Sequence, residues 1–242
     1  MSKILSIVIP AYNEEAYIGE LIKLIGEVDV SALGLKLEII VINDCSSDST
    51  ANTVANIPSV RLLNHTINSG KGRAVRTGLE AVTGDYVLIQ DADLEYDPQD
   101  YLVLVPPVLN GDIDVVYGSR YLKGLDKGIL NNFINAKHPQ QSWAAYIGGR
   151  SISLFAWAFT GRLLNDTVTA YKLFPAQLLC NMELVTTGFE LDHEISCKVL
   201  AGGHRIKEVP IRYYPRTVAD GKKIGLKDWF IAIKTFYRFR NG

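Results

Sequence analysis

Acidic side chains crowd into the stretch LIQDADLEYDP, residues 88–98. Asp91, Asp93 and Glu95 alternate just past an apolar run, with Asp97 behind them. Carboxylates at that spacing repel one another, so either a cation holds them or the following helix uses them as caps. Three carboxylates supply only oxygen ligands, which suits Mg²⁺ or Mn²⁺ rather than zinc. Water or a substrate phosphate would complete the coordination. The competing reading is an acidic helix cap, the role expected of Asp97 ahead of Pro98.

Other polar clusters close other apolar runs. In NSGKG, Gly70 and Gly72 flank Lys71 at an expected helix start, where backbone N–H groups could receive an anion and Lys71 would add charge. The longer glycine spacing and following Ser/Thr of a P-loop are missing. Asp44 closes IIVIND, a place suited to accepting hydrogen bonds from a ribose or base edge. An Asx-turn leading into SSDST is the local alternative. The first turn, PAYNEE, lacks the glycine fingerprint of dinucleotide sites, which excludes a nicotinamide dinucleotide but not a nucleotide.

Later basic residues are Arg120, Arg150, Lys172, Arg216, Lys222 and Lys223; taken singly, each reads as solvated surface. Glu190, Asp192 and Glu194 in GFELDHE read as acids at a helix start. His193 reads as structural, His65 and His204 suggest no role, and His138 falls in an irregular segment.

These groups need elements to position them. Apolar runs predict strands over 4–10, 37–43, 60–64, 85–90 and 113–118, separated by helices over 14–27, 48–56, 70–82 and 98–109. That alternation predicts an α/β fold with a mainly parallel sheet and helices on both faces. Farther on come an irregular loop (LDKGILNNFINAKHPQQSW), an apolar helix over 151–164 and a strand in VTAYKLF. A helix through 190–201, a strand over 205–213 and a final helix near 226–240 complete the order. Ligands of such sheets bind outside the carboxyl ends of the strands, and all five early strands end in polar residues, so one elongated charged ligand could span them.

The chain has 242 residues, 48% of them hydrophobic, and a formal net charge of −1. That length suits a single α/β domain with a small appendage, and the charge argues against a general nucleic-acid binder. Cys45, Cys180 and Cys197 are widely spaced, like reduced cytosolic thiols. MSKILSIVIP fits a first strand better than a signal peptide, and no apolar stretch reaches the ~18 residues of a membrane span. In KDWFIAIKTFYRFR, Trp229, Phe230, Ile233, Phe236 and Tyr237 alternate with Lys227, Lys234, Arg238 and Arg240. Such a helix could lie on an anionic leaflet or pack against the domain.

Taken jointly, SIVIPAYNEE, VINDCSSDST, NSGKG, DADLEYDP and GSR resemble, in order, the inverting family-two glycosyltransferases of the GT-A fold. DTVTAYKLF, GFELDHEI and EVPIRYYPRTVADGKKI are similar to the branch holding dolichyl-phosphate mannose synthases and bacterial polyprenyl-phosphate glycosyltransferases. The resemblance covers residues 4 to about 227. It implies a GT-A domain over 1–225, with a nucleotide-sugar and metal half over about 1–120 and an acceptor half over 121–225. Residues 226–242 would form a C-terminal amphipathic basic helix.

Position by position, the resemblance implies that Pro10, Ala11, Tyr12, Glu14 and Asp44 line the nucleoside end of a GDP- or UDP-hexose donor, with Lys71 near the nucleotide. Asp91, Asp93 and Glu95 would hold Mg²⁺ or Mn²⁺, with Ala92 between them against the donor. Arg216 would reach the diphosphate, and Lys222 and Lys223 would close over it. Arg120 and Arg150, with Ser151 or Ser153, would hold the phosphate of a polyprenyl or dolichyl phosphate acceptor. Val168 and Ala170 stand where the family pattern carries an acid and a cysteine, which bears on sugar or acceptor preference. Many relatives continue into transmembrane helices. A cytoplasmic location, peripheral to a membrane, is implied.

Charge grows on the leaving oxygen as a nucleoside diphosphate departs, so a divalent ion and a basic clamp suit the reaction. An ionised lipid phosphate attacks without help, whereas a saccharide hydroxyl would need a general base, for which Asp192 or Asp166 is the candidate. A sugar nucleotidyltransferase would carry a glycine-rich loop at its first strand instead of PAYNEE. A non-catalytic nucleotide-sugar binding protein would need neither the full acidic trio nor a distal arginine.

Overall fold

Ile7, Val8 and Ile9 are fully buried in succession along β1 (Lys3–Ala11), the mark of a strand covered on both faces. Side chains alternate across a strand. Leu5, Ile7 and Ile9 therefore join the cluster around α1 (Ile18–Gly26), while Val8 joins Ile40, Ile42, Ala74 and Val75 beneath α3 (Lys71–Leu79). The computed structural model describes residues 2–111, 113–122, 143–215 and 226–241.

The remaining strands are β2 (Leu35–Asn43), β3 (Val60–Asn64), β4 (Tyr86–Ile89), β5 (Val115–Ser119), β6 (Lys172–Pro175) and β7 (Ile206–Pro210). They form one seven-stranded sheet in the order β3-β2-β1-β4-β6-β5-β7. Both halves of the chain contribute to it. Every pairing is parallel except those of β6, which runs against β4 and β5. The helices between strands include α2 (Thr50–Ala55), and the expected alternation of strands and helices is observed.

Two helices depart from expectation. The one expected over 98–109 is a single turn at Pro98–Asp100 followed by α4 (Tyr101–Leu104) and α5 (Pro106–Leu109). Proline lacks an N–H and clashes with the preceding turn, and Pro106-Pro107 breaks the helix there. The helix expected over 151–164 is α6 (Trp143–Thr160), which stops at Gly161 with φ +71. The loop expected ahead of it lies, apart from Trp143, outside the described residues, and so does His138.

After α7 (Ala176–Cys180) come α8 (Leu191–Ala201) and the final α9 (Leu226–Arg238). One face of α9 packs into the domain, where Ala232, Phe236 and Phe239 meet Ile152, Ala156 and Cys197. All three cysteines are free.

Candidate active site

The strand order reverses direction at β1, whose neighbours are β2 and β4, and open α/β sheets bind ligands at that switch point. The turns after β1 and β2 are braced against each other there. Asn13 and Cys45 both adopt positive φ, 54° and 60°, a conformation that costs non-glycine residues of order 1 kcal/mol or more and needs support. The Asn13 carboxamide oxygen accepts from the Ser47 N–H at 2.8 Å, and the Asn13 N–H donates to Ser46 Oγ at 3.0 Å. Glu14 is buried, and its N–H donates to Thr50 Oγ1 at 2.9 Å. Tyr12 is the exposed member of this edge at 40%.

Asp44 is 3% exposed. Its Oδ1 accepts from the Ser69 N–H at 2.9 Å and its Oδ2 from the Gly70 N–H at 2.7 Å. His65 Nδ1 lies 2.7 Å from Oδ1, and His65 Nε2 lies 3.0 Å from Thr77 Oγ1. The anion seated at the NSGKG turn is therefore the protein's own Asp44. The Arg73 N–H of the first helical turn is also taken, by the Thr187 carbonyl at 3.2 Å. The Ser69 and Gly70 amides, expected to face a ligand anion, thus hold Asp44. His65, to which the sequence suggested no role, links Asp44 to α3.

Gly70 and Gly72 serve a close approach. A Cβ on Gly70 would stand 2.5 Å from the Thr187 carbonyl oxygen, and one on Gly72 would stand 2.8 Å from that of Thr186. The start of α3 thus abuts the segment that leads into α8, and Lys71 points to where three charged elements meet. Lys71 Nζ lies 2.6 Å from Asp91 Oδ1 and 3.0 Å from Asp192 Oδ2. Burial alone would lower the Lys71 pKa, but Asp192 and Asp91 overcome that and raise it.

Because β6 runs antiparallel, its first residue, Lys172, sits at the same sheet edge as the carboxyl end of β4. Lys172 is fully buried, donates to the Thr169 carbonyl and lies 3.5 Å from Asp192 Oδ1. The sequence read it as a surface cation; the signal available was a lysine interrupting an apolar strand. Burial would raise the Asp192 pKa, yet Lys71 and Lys172 outweigh it and hold the carboxyl at about 2. Asp192, the candidate base, is thus the shared counter-ion of Lys71 and Lys172.

The other candidate base is likewise ion-paired. Asp166 is fully buried and receives Arg120 Nε and Nη2, both at 2.7 Å, together with the Arg120 N–H at 3.1 Å. Arg120 is equally committed, and its guanidinium also lies over the Tyr213 ring. This candidate for an acceptor phosphate is thus paired with Asp166 within the fold. Ser153 is buried, with Thr167 Oγ1 at 3.1 Å, and Ser151 Oγ accepts from Trp229 Nε1 at 2.8 Å. Both serines thus hold α6 in place. Arg150 donates to the Asn165 carbonyl at 2.9 Å and lies over Tyr121.

The acidic trio is not gathered as expected. Among the described residues, no three His, Cys, Asp or Glu side chains converge as a metal centre would need. Asp91 faces Lys71, Asp93 Oδ1 accepts from the Glu95 N–H at 3.2 Å, and Glu95 Oε2 accepts from the Tyr213 hydroxyl at 3.0 Å. The chain's direction across Tyr96 accounts for Glu95, because Tyr96 bridges to Tyr213 and carries Glu95 toward that segment. Asp91 and Asp93 still fit a hard divalent ion by donor type, since Mg²⁺ is commonly held by one or two carboxylates plus phosphate and water. Asp97 is the cap it was expected to be, accepting from the Gln99 N–H. Arg216, Lys222 and Lys223 lie outside the described residues.

This geometry can be set beside known proteins. A family model described as glycosyl transferase family 2 matches residues 6–159. The chain belongs to that family. Dolichyl-phosphate beta-glucosyltransferase of Trichomonas vaginalis is 36% identical over 235 residues, which cover 91% of this chain and 68% of that one. Dolichol-phosphate mannosyltransferase of Pyrococcus furiosus is 28% identical over 236 residues, 96% of this chain but 62% of that protein. The chain thus spans only part of the length of several relatives, 48% for a Haloferax volcanii hexosyltransferase.

Glucosyl-3-phosphoglycerate synthase from Mycobacterium tuberculosis, solved with Mn²⁺, uridine diphosphate and phosphoglyceric acid, superposes with a TM-score of 0.70. It is 20% identical, and the match covers 98% of this chain and 78% of that one. The likeness establishes the GT-A fold of this family 2 domain.

Proposed function

We propose that this family 2 chain transfers a hexose from a GDP- or UDP-linked donor to a polyprenyl or dolichyl phosphate. One acceptor phosphate oxygen forms the new bond to the anomeric carbon while the bond to the donor diphosphate breaks, inverting the centre. The bonding electrons leave with the nucleoside diphosphate. The state of the two candidate bases carries this reading. Asp192 is held at about 2 by two lysines, and Asp166 is locked in a two-pronged pair with Arg120. A hydroxyl nucleophile would need such a base, whereas an ionised phosphate needs only positioning. The names of the Trichomonas and Pyrococcus relatives point to the same acceptor class.

Asp91 and Asp93 would hold Mg²⁺ or Mn²⁺, which when bound neutralises charge on a departing diphosphate. Lys71 supplies positive charge at the same edge. Pro10, Ala11, Tyr12, Glu14 and Asp44 would form the nucleoside end of the cleft, Asp44 by anchoring the α3 turn. Arg216 and Lys222 would meet the diphosphate, and Arg120 and Arg150, with Ser151 or Ser153, are the candidates for the acceptor phosphate.

A lipid acceptor also calls for access to a membrane surface. Trp143, Ile147, Leu154 and Trp157 of α6 are exposed, as are Phe230 and Tyr237 of α9. The two helices meet through Phe155 and Trp229, whose ring centroids are 5.7 Å apart. Lys227, Lys234 and Arg238 are exposed on α9 as well, a mixture of aromatic and basic groups suited to an anionic interface. No helix among the described residues is long and apolar enough to cross a bilayer.

The deciding assay combines the protein and Mg²⁺ or Mn²⁺ with UDP-, GDP- and dTDP-sugars, offering polyprenyl phosphate or the matching free alcohol, and weighs the products. Transfer to the phosphate alone is expected. Equal use of both acceptors rejects the phosphate reading. Pyrophosphate release from a sugar phosphate plus a nucleoside triphosphate would make the chain a nucleotidyltransferase.

A further inference from the structure

Asp91 is assigned above to a divalent ion, yet its Oδ1 already has a cation 2.6 Å away. That cation, Lys71 Nζ, is part of a built arrangement. Its side chain is only 11% exposed, it rests between Asp91 and Asp192, and the Phe189 ring centroid lies 5.8 Å from it. Asp192 is itself fixed from behind by the fully buried Lys172. Lys71 thus has two anionic seats, one on the more exposed Asp91 and one on the more buried Asp192.

We infer that Lys71 is a resident counter-cation that competes with the divalent ion for Asp91, with Asp192 as the seat to which it withdraws. An ammonium on Asp91 and a dication on the same carboxylate repel each other, and a nearby cation changes a carboxylate's affinity for a second one by about tenfold or more. Lys71 therefore keeps the acidic edge neutralised while no donor is present. The negative charge of a donor diphosphate would offset the repulsion between the two cations and so lift the competition. Divalent ion alone binds weakly, and nucleotide and ion promote each other's binding. Asp192 is a positioning residue in this scheme, because it acts through Lys71.

This inference rests on the metal role of Asp91, and the experiment separates the two. Mn²⁺ binding without nucleotide is measured by the loss of the free-ion electron paramagnetic resonance signal. Wild-type protein, Lys71→Met, Asp192→Asn and Asp91→Asn are compared, each first checked for a cooperative thermal transition. Lys71→Met is expected to bind Mn²⁺ about tenfold more tightly, having lost the competitor. Asp192→Asn, which leaves Lys71 only the Asp91 seat, is expected to bind several-fold more weakly. A merely structural role would move both variants in the same direction. Unchanged or weaker Mn²⁺ binding in Lys71→Met overturns the inference. If that variant does not fold, unchanged or tighter binding in Asp192→Asn overturns it instead. Wild-type Mn²⁺ binding that Asp91→Asn leaves intact would overturn the metal role itself.

Discussion

Arg120 and Asp166 meet as a two-pronged ion pair, with guanidinium Nε and Nη2 each 2.7 Å from a different carboxylate oxygen. The pair ties the end of β5 to the segment before β6. Glu208 of β7 joins it by accepting from the Asp166 N–H at 2.8 Å. Removing one partner of a buried pair strands the other charge. Asp166→Asn is therefore expected to lower unfolding free energy by about 3 kcal/mol, read from urea denaturation midpoints at constant slope. A change within a few tenths of a kcal/mol would mean that the pair is solvated.

Acid should loosen the α8 region in two stages. Burial holds His193 down at about 4, against an ordinary 6.5, and its buried Nδ1 has no hydrogen-bond partner among the described residues. The unfolded chain therefore takes up that proton first, and stability is lost as pH falls from 6.5 toward 4. Asp192, lowered from 3.8 to about 2, contributes stability that disappears between about pH 4 and 2. Melting temperature measured against pH should fall by roughly 5 °C across the upper window, and His193→Gln should flatten that part of the curve alone.

The α3 turn tolerates no added methyl group. Gly72→Ala would place a Cβ 2.8 Å from both the Thr186 carbonyl oxygen and the Thr187 carbonyl carbon, so backbone must shift. A loss of about 2 kcal/mol is expected, together with weaker binding of a nucleoside diphosphate in calorimetry, because Lys71 moves with its neighbour. Wild-type behaviour in both measurements would show that the two segments separate freely.

Asp93→Ala is expected to reduce turnover by at least ~10²-fold, the scale of one lost electrostatic contact to a transition state. EDTA should abolish activity and Mg²⁺ or Mn²⁺ restore it. Near-normal turnover of the variant at saturating metal removes Asp93 from the metal role.

Vesicle flotation addresses the exposed aromatic and basic face. Protein should float with vesicles containing acidic phospholipid. It should stay behind after Lys227→Glu, Lys234→Glu and Arg238→Glu are combined, since each basic residue near such a surface contributes about 1 kcal/mol. Point changes suit this test better than truncation, because Phe236 on the opposite face of α9 is buried in the domain. Flotation unaffected by the charge reversals would assign the binding elsewhere.

Much of this protein is local information. Apolar runs such as SIVIP and IIVIN predict strands buried on both faces, and polar residues at their ends predict a ligand edge, because burial periodicity and turn chemistry extend over only a few neighbours. Asp97-Pro98 as a cap and the family motifs are legible for the same reason. Partner choice is not local. Lys71 and Asp192 stand 121 residues apart, and Arg120 and Asp166 stand 46 apart, so only the packing of α3 against α8 and of β5 beside β6 decides who neutralises whom. That packing made two candidate bases counter-ions, gave the Ser69 and Gly70 amides to Asp44, buried Lys172 through the reversed direction of β6, and sent Glu95 to Tyr213. A side chain's type sets what it can bind. The charges brought within a few ångströms of it by distant chain decide what it does bind, because Coulomb energy depends on distance in space and not on separation along the sequence.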